Sequence, residues 1–157
     1  MRKVARGSSL KLCIRPAKKE DMPAILELEK ICFKEETFHK RQIKYLLLKA
    51  RSTVLVASLE GNIVGSIIIL LRKHISNARI YSLNVHPSYR RLGIGSSLMD
   101  HSEDILVNMG YRNFTLEAGV NNIAAQNLYV SKGFSLERRM EKYYKNGDEA
   151  IRFIKKL

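Results

Sequence analysis

The chain has 157 residues, with 28 Lys and Arg against 15 Asp and Glu, for a formal net charge of +13. That length suits one domain with a buried core, and a hydrophobic fraction of 45% excludes a disordered chain of low hydrophobicity. The charge points to an anionic partner, whether nucleic acid, an acidic membrane surface or a polyphosphate.

In chain order, residues 1–9 read as a short basic arm and residues 10–157 as a single domain. Leu10–Arg15 alternates apolar and polar, which predicts a strand with Cys13 in the core. Asp21 is the expected N-cap of the next helix, with Pro23 in its first turn and Ile25, Leu28, Ile31 and Cys32 at helical spacing. A second helical segment is expected over about His39–Lys49. Thr53–Leu59 and Ile63–Leu71 are β-branched runs around Glu60-Gly61-Asn62, a hairpin pattern. Arg79–Val85 is a further strand. Gly93–Met109 predicts an amphipathic helix, with Leu98, Ser102, Ile105, Leu106 and Met109 along one side and Gly110 as its stop. Asn113–Ala118 predicts a strand, and Asn122–Lys132 a helix capped by Asn122 and ended by Gly133. Ser135–Tyr144 and Glu149–Lys155 flank Asn146-Gly147, a hairpin signal. The order β α α β β β α β α β β describes an α+β or mixed α/β domain around one sheet.

The two cysteines, Cys13 and Cys32, show no CxxC or His spacing, so neither a disulfide nor a metal site is expected, and a reducing, cytoplasmic setting is. The longest apolar run, Ile67–Leu71, is too short to span a bilayer, so no membrane partner is expected. His39, His74, His86 and His101 are scattered and receive no role.

The charge is uneven. No carboxylate occurs between Glu60 and Asp100. Within that stretch, a strand ends at Val85, Arg90 and Arg91 follow, and Gly93 and Gly95 open a helix with no acid in its first turn. Helix N-termini present unpaired N–H groups and a partial positive charge, so this arrangement suits a ligand that brings its own negative charge. Neither the Walker pattern nor the GxGxxG fingerprint is present. Locally, the same glycines also fit a plain turn before an ordinary helix.

Arg90-Arg91-Leu92-Gly93-Ile94-Gly95 resembles the Q/R-x-x-G-x-G/A signature of the GNAT superfamily of N-acetyltransferases. The resemblance covers nearly the whole chain and implies the GNAT acyl-CoA fold, a mostly antiparallel central sheet flanked by about four helices. It implies acetyl-CoA as co-substrate, without a metal. The loop Arg90–Gly95 with Ser96 would bind its pyrophosphate, and the backbone of Leu83, Asn84 and Val85 its pantetheine arm.

Leu116-Glu117-Ala118-Gly119 through Asn122, Leu128-Tyr129 and Gly133-Phe134 is similar to the LEV-x-x-x-N-x-x-A-x-x-LY-x-x-x-GF stretch of RimI-like protein N-terminal acetyltransferases. It departs at Ala118-Gly119, where those enzymes usually have Val-Arg. The resemblance implies direct transfer to an N-terminal α-amine, with Glu117 as general base, Tyr129 as general acid and Asn122 touching the co-substrate. Locally, Glu117 also fits an exposed strand charge, Tyr129 a core aromatic and Asn122 a helix cap. Glu35, in the loop after the first helix, and Tyr143 and Tyr144, before the last hairpin turn, are the candidate acceptor contacts. The other readings are transfer to lysine or a small amine, and a non-catalytic acyl-CoA-binding or nucleic-acid-binding module. The partner expected is a protein or peptide N-terminus, ribosomal proteins included. Nucleic acid enters only as nonspecific contact through the basic ends, and the chain is expected to be a monomer or weak homodimer.

Overall fold

The computed structural model describes residues 11–32, 44–46, 51–72, 76–141, 143 and 148–157. Seven strands form one sheet in the order β1-β2-β3-β4-β5-β7-β6. They are β1 (Leu12–Pro16), β2 (Ser52–Leu59), β3 (Asn62–Leu71), β4 (Asn77–Val85), β5 (Asn113–Gly119), β6 (Ser135–Met140) and β7 (Ala150–Lys156). The longer helices are α1 (Met22–Cys32), α2 (Ile94–Asn108) and α3 (Ile123–Ser131). Residues 44–46 are also helical, while the rest of the expected second helix and the Asn146-Gly147 turn lie outside the described residues. No described helix is long and apolar enough to cross a membrane.

β1, β2 and β3 pair antiparallel, β4 and β5 pair parallel through Asn77–Arg79 with Asn113–Thr115, and β7 pairs antiparallel with both β5 and β6. The chain divides into two compact units. One comprises the described residues up to Leu71 with Tyr81–Ser102, and the other comprises Arg72–Ile80 with Glu103–Leu157.

In the first unit, the β2–β3 hairpin closes through Glu60 and Gly61, whose φ values of 48° and 83° make a type I′ turn. Val64–Ile69 of β3 is buried on both faces, as suits a central strand in which only the small Gly65 and Ser66 interrupt the β-branched residues. Ile25 and Leu46 pack on Val56 and Ile68, with Met22, Leu26 and Tyr81 around them. Two expectations fail here. Asp21 does not cap α1. Its carboxylate accepts from the backbone N–H of Lys18 and from both outer nitrogens of Arg15, closing the turn Lys19–Asp21 ahead of the helix. Cys13 is exposed, because Leu12 and Ile14 take the covered face of β1 and strand alternation turns Cys13 to the other.

Gly65 is the tight point on the opposite face of β3, under α2. A Cβ there would sit 3.0 Å from Ile94 Cγ2 and 3.2 Å from both Asn84 O and Leu98 Cδ1. Gly65→Ala is therefore expected to cost about 1–3 kcal/mol by overpacking, read from the denaturant midpoint. An unchanged midpoint would show that α2 yields freely.

The helix ends follow their sequence signals. Asn122 Oδ1 accepts from Ala125 N at 3.1 Å, capping α3. Phe134 N donates to Tyr129 O across Gly133, a Schellman closure. Within α2, Leu98, Ser102 and Leu106 are fully buried, and the Ser102 hydroxyl donates to Leu98 O at 2.7 Å. Met109 was expected on that stripe but is 52% exposed, because the helix has ended at Asn108 and the chain is already turning. The second unit buries Phe114, Phe134 and Phe153 against Tyr129, with Phe114 and Phe134 centroids 5.6 Å apart. β6 lies at the sheet edge, and its charged Glu137, Arg138 and Arg139 face solvent.

Candidate active site

The proposed co-substrate residues Leu83–Val85 and Arg90–Ser96 lie in the first unit, and Asn122 lies in the second. β4 alternates half-buried and buried positions to its end. Asn84 turns its side chain inward, where Nδ2–H donates to Glu29 Oε2 of α1, so this residue offers only backbone outward. Leu83 and Val85 are half-buried on the other parity. His86 N donates to Val64 O at 2.8 Å and His86 Nδ1 accepts from Ser88 N at 3.0 Å, opening the turn Pro87–Tyr89. Arg90 bends back: Nε donates to Val85 O at 3.1 Å and Nη2 reaches Cys32 Sγ at 3.7 Å. It braces the strand end, whereas Arg91 is exposed.

Arg91 and Gly93 take φ of 64° and 81°, which turns the chain sharply into α2. A Cβ at Gly93 would meet nothing within 4 Å, so the left-handed backbone and not crowding is what favours glycine there. Leu92 is half-buried and Ile94 is buried, anchoring the loop, and the first turn of α2, with Gly95 and Ser96, holds no acid. An uncompensated helix N-terminus beside exposed Arg91 fits an anionic pyrophosphate.

The proposed catalytic residues lie in the second unit. Glu117 on β5 has a side chain 5% exposed. Its Oε1 accepts from Arg79 Nε at 2.9 Å and its Oε2 from Arg152 Nε at 2.7 Å. The register sets this up: Arg152 of β7 pairs directly with Glu117, and Arg79 of β4 pairs with Thr115, two residues away on the same face. Tyr143 Oη accepts from Arg79 Nη2 at 2.6 Å and donates to Glu117 Oε1 at 3.4 Å. Burial first, and then the Glu117 carboxylate, push the Tyr143 phenol above its ordinary range, so it stays protonated.

Tyr129 does not join this group. Its ring packs 6.0 Å from Phe153 and 6.2 Å from Phe134. Phe153 pairs with Leu116, so strand alternation puts that aromatic face opposite the one carrying Glu117. Asn122 stands at the end of β5 as the cap of α3 and lines a pocket of about 430 Å³ with Gly119, Val120, Asn121 and Asp148. Gln126 Nε2 ties this corner down, donating to Gly119 O and Val120 O at 3.0 Å each. The candidate acceptor residues Glu35 and Tyr144 lie outside the described residues. Among the described residues, no group of three or more His, Cys, Asp and Glu is placed to hold a metal ion.

Sequence reasoning missed Arg79, Arg152, Glu29 and Gln126. The available signal was faint: Arg152 alternates with Ile151 and Phe153, which places it off the apolar face without saying what it meets. Only the register does that.

The sequence pattern of the acetyltransferase (GNAT) family matches residues 21–134. The chain is 32% identical over 146 residues to an uncharacterized N-acetyltransferase of Methanocaldococcus jannaschii, covering 92% of each protein. It is 27% identical over 148 residues to an N-alpha-acetyltransferase of Sulfurisphaera tokodaii, covering 87% of this chain and 88% of that one. Among solved structures, it resembles the ribosomal-protein-S18-alanine N-acetyltransferase of Escherichia coli, with a TM-score of 0.85 at 23% identity over 94% of both chains, a likeness of fold. With the seven-stranded sheet, the glycine turn into α2 and a family match that runs from α1 to Phe134, this chain belongs to the GNAT family of acetyltransferases.

Proposed function

We propose that the chain transfers the acetyl group of acetyl-CoA directly to the N-terminal α-amine of a protein, as RimI-like enzymes do. The observation that carries this reading is Glu117, a nearly buried carboxylate held by two guanidiniums and touched by the Tyr143 hydroxyl. An amine attacks a thioester only when neutral. At pH 7, deprotonating an α-amine costs about 1 kcal/mol, whereas a lysine costs about 4.6 kcal/mol. Arg79, Arg152 and one carboxylate leave a surplus positive charge at this spot, which disfavours an incoming ammonium. An acceptor already close to neutral suits such a site better than lysine does.

Glu117 takes the amine proton, directly or through a water, as the new N–C bond forms. The C–S bond breaks, and the family pattern assigns the proton returned to the departing thiolate to Tyr129, which reaches it from the aromatic face and not from the face that carries Glu117. The chain's thiols fit no acyl-enzyme route: burial pushes Cys32 above its ordinary value, keeping it a thiol, and Cys13 sits out on β1. The exposed Arg91, the backbone from Gly93 to Ser96 and the end of β4 hold the donor. The related N-alpha-acetyltransferase supports the acceptor class.

The test is mass-resolved acetylation of a peptide with a free N-terminus beside one with a blocked N-terminus and a single free lysine. Product on the first is expected, and product on the second alone would sink the reading. Tyr129→Phe is expected to lower kcat about 100-fold with little change in peptide KM. Unchanged kcat would confine Tyr129 to the aromatic core.

A further inference from the structure

The clamp on Glu117 holds two cations against one anion, and the cations are the outward part. The side chains of Arg79 and Arg152 are 31% and 25% exposed, against 5% for Glu117. Each guanidinium presents five N–H donors, yet Arg152 spends only Nε, and its two outer nitrogens bond to nothing among the described residues. Arg79 spends Nε on Glu117 and Nη2 on Tyr143, leaving Nη1. Among the described residues, Glu149 pairs with Arg139 and Glu103 with Lys155. An outer pair of guanidinium nitrogens matches the two oxygens of a carboxylate, and a hydrogen bond between charged groups is stronger than a neutral one.

We propose that Arg79 and Arg152 form an acceptor-specificity site for a carboxylate, so that the preferred substrates are protein N-termini with Asp or Glu close behind the amine. This rests on the α-amine reading above. The same guanidiniums that hold Glu117 from their Nε side would take the acidic side chain on their outer side, and the two acids would balance the two cations. A basic residue at that point of the acceptor would meet uncompensated positive charge.

The experiment compares three peptides that differ only at the second residue, Glu, Gln or Lys, at saturating acetyl-CoA and low salt. The expected order of kcat/KM is Glu, then Gln, then Lys, with Glu ahead of Gln by about tenfold and the difference in peptide KM. Because Arg152 also holds Glu117, Arg152→Gln should slow every peptide. The diagnostic quantity is the Glu-to-Gln ratio, which should fall toward one in Arg152→Gln and in Arg79→Gln and recover in part in Arg152→Lys. A ratio near one in the natural protein, or a ratio unmoved by both glutamine variants, overturns the proposal and leaves α-amine acetylation standing. A change in the KM of acetyl-CoA alone also overturns it, since the cations would then serve the donor. If no peptide N-terminus is acetylated, the α-amine reading itself fails and takes this proposal with it.

Discussion

Replacing Glu117 with Gln is expected to lower kcat for peptide acetylation by about 100-fold or more, the usual contribution of a positioned general base. The amide keeps the shape of the side chain and one acceptor oxygen, so it retains either the Arg79 or the Arg152 bond but accepts no proton at neutral pH. It also strips the charge that separates two guanidiniums. Both arginines are partly hydrated, so the stability cost is about 1–2 kcal/mol, less than for a fully buried pair. Thermal unfolding measured beside the kinetics separates the two effects: a folded, slow enzyme supports the base, and a folded enzyme of full activity removes Glu117 from the chemistry while leaving the family assignment untouched. Glu117→Asp, which keeps the charge but draws the carboxylate back by one methylene, should fold better than Gln and recover only part of the rate.

The second large effect concerns stability against pH. Glu29 is fully buried on α1. Its Oε2 accepts from Asn84 Nδ2, and its Oε1, Ser66 Oγ and Asn84 Oδ1 are buried without a partner among the described residues. Among the described residues, no Lys or Arg bonds to it. Burial raises this carboxyl from 4.5 to about 7, while Ser82 and Asn84 pull the other way. Between those two pH values, the unfolded chain has released the proton and the folded chain still holds it. The unfolded state then binds fewer protons, so stability falls as pH rises through this window and levels off above the folded value. The loss from this one group is about 3 kcal/mol. Glu29→Gln keeps an acceptor for Asn84 and cannot ionise, so its stability relative to the natural protein should improve from pH 5 to pH 8 by about that amount. Glu29→Ala should instead cost about 2–4 kcal/mol at pH 5, where it opens a cavity and strands the Asn84 amide. Urea titrations at the two pH values read both, and parallel curves for Gln and the natural chain would show that Glu29 is hydrated in the folded protein.

Much of the fold was legible because local chemistry and tertiary structure agree. Gly61 takes the left-handed backbone of the β2–β3 turn, Asn122 caps α3, Gly133 closes it, and Gly93 turns the chain into α2. These are short-range effects of backbone freedom and side-chain reach, and they need no knowledge of distant segments. The expectation for Cys13 failed because Leu12 and Ile14 take the covered face of β1 and strand alternation turns Cys13 to the other. Met109 continued the apolar stripe on paper, but one residue past the end of a helix the stripe no longer points anywhere in particular.

The candidate site divides along the same line. Arg90–Ser96 with its glycines, and Glu117, Asn122 and Tyr129 at their spacing, were readable as a family pattern from the chain alone. That Arg90 is spent bracing Val85, that Glu117 is pinned between arginines 38 residues earlier and 35 later, and that Tyr129 belongs to the opposite, aromatic face were not. By itself, the sequence determined the glycine turn into α2, most of the strand and helix inventory and the acetyltransferase family, because each is written in contiguous residues. Only the tertiary structure decided which charges meet Glu117 and which carboxyl is sealed from water at Glu29. Strand register and helix packing bring together residues far apart in the chain, and the energy of a charge depends on what surrounds it.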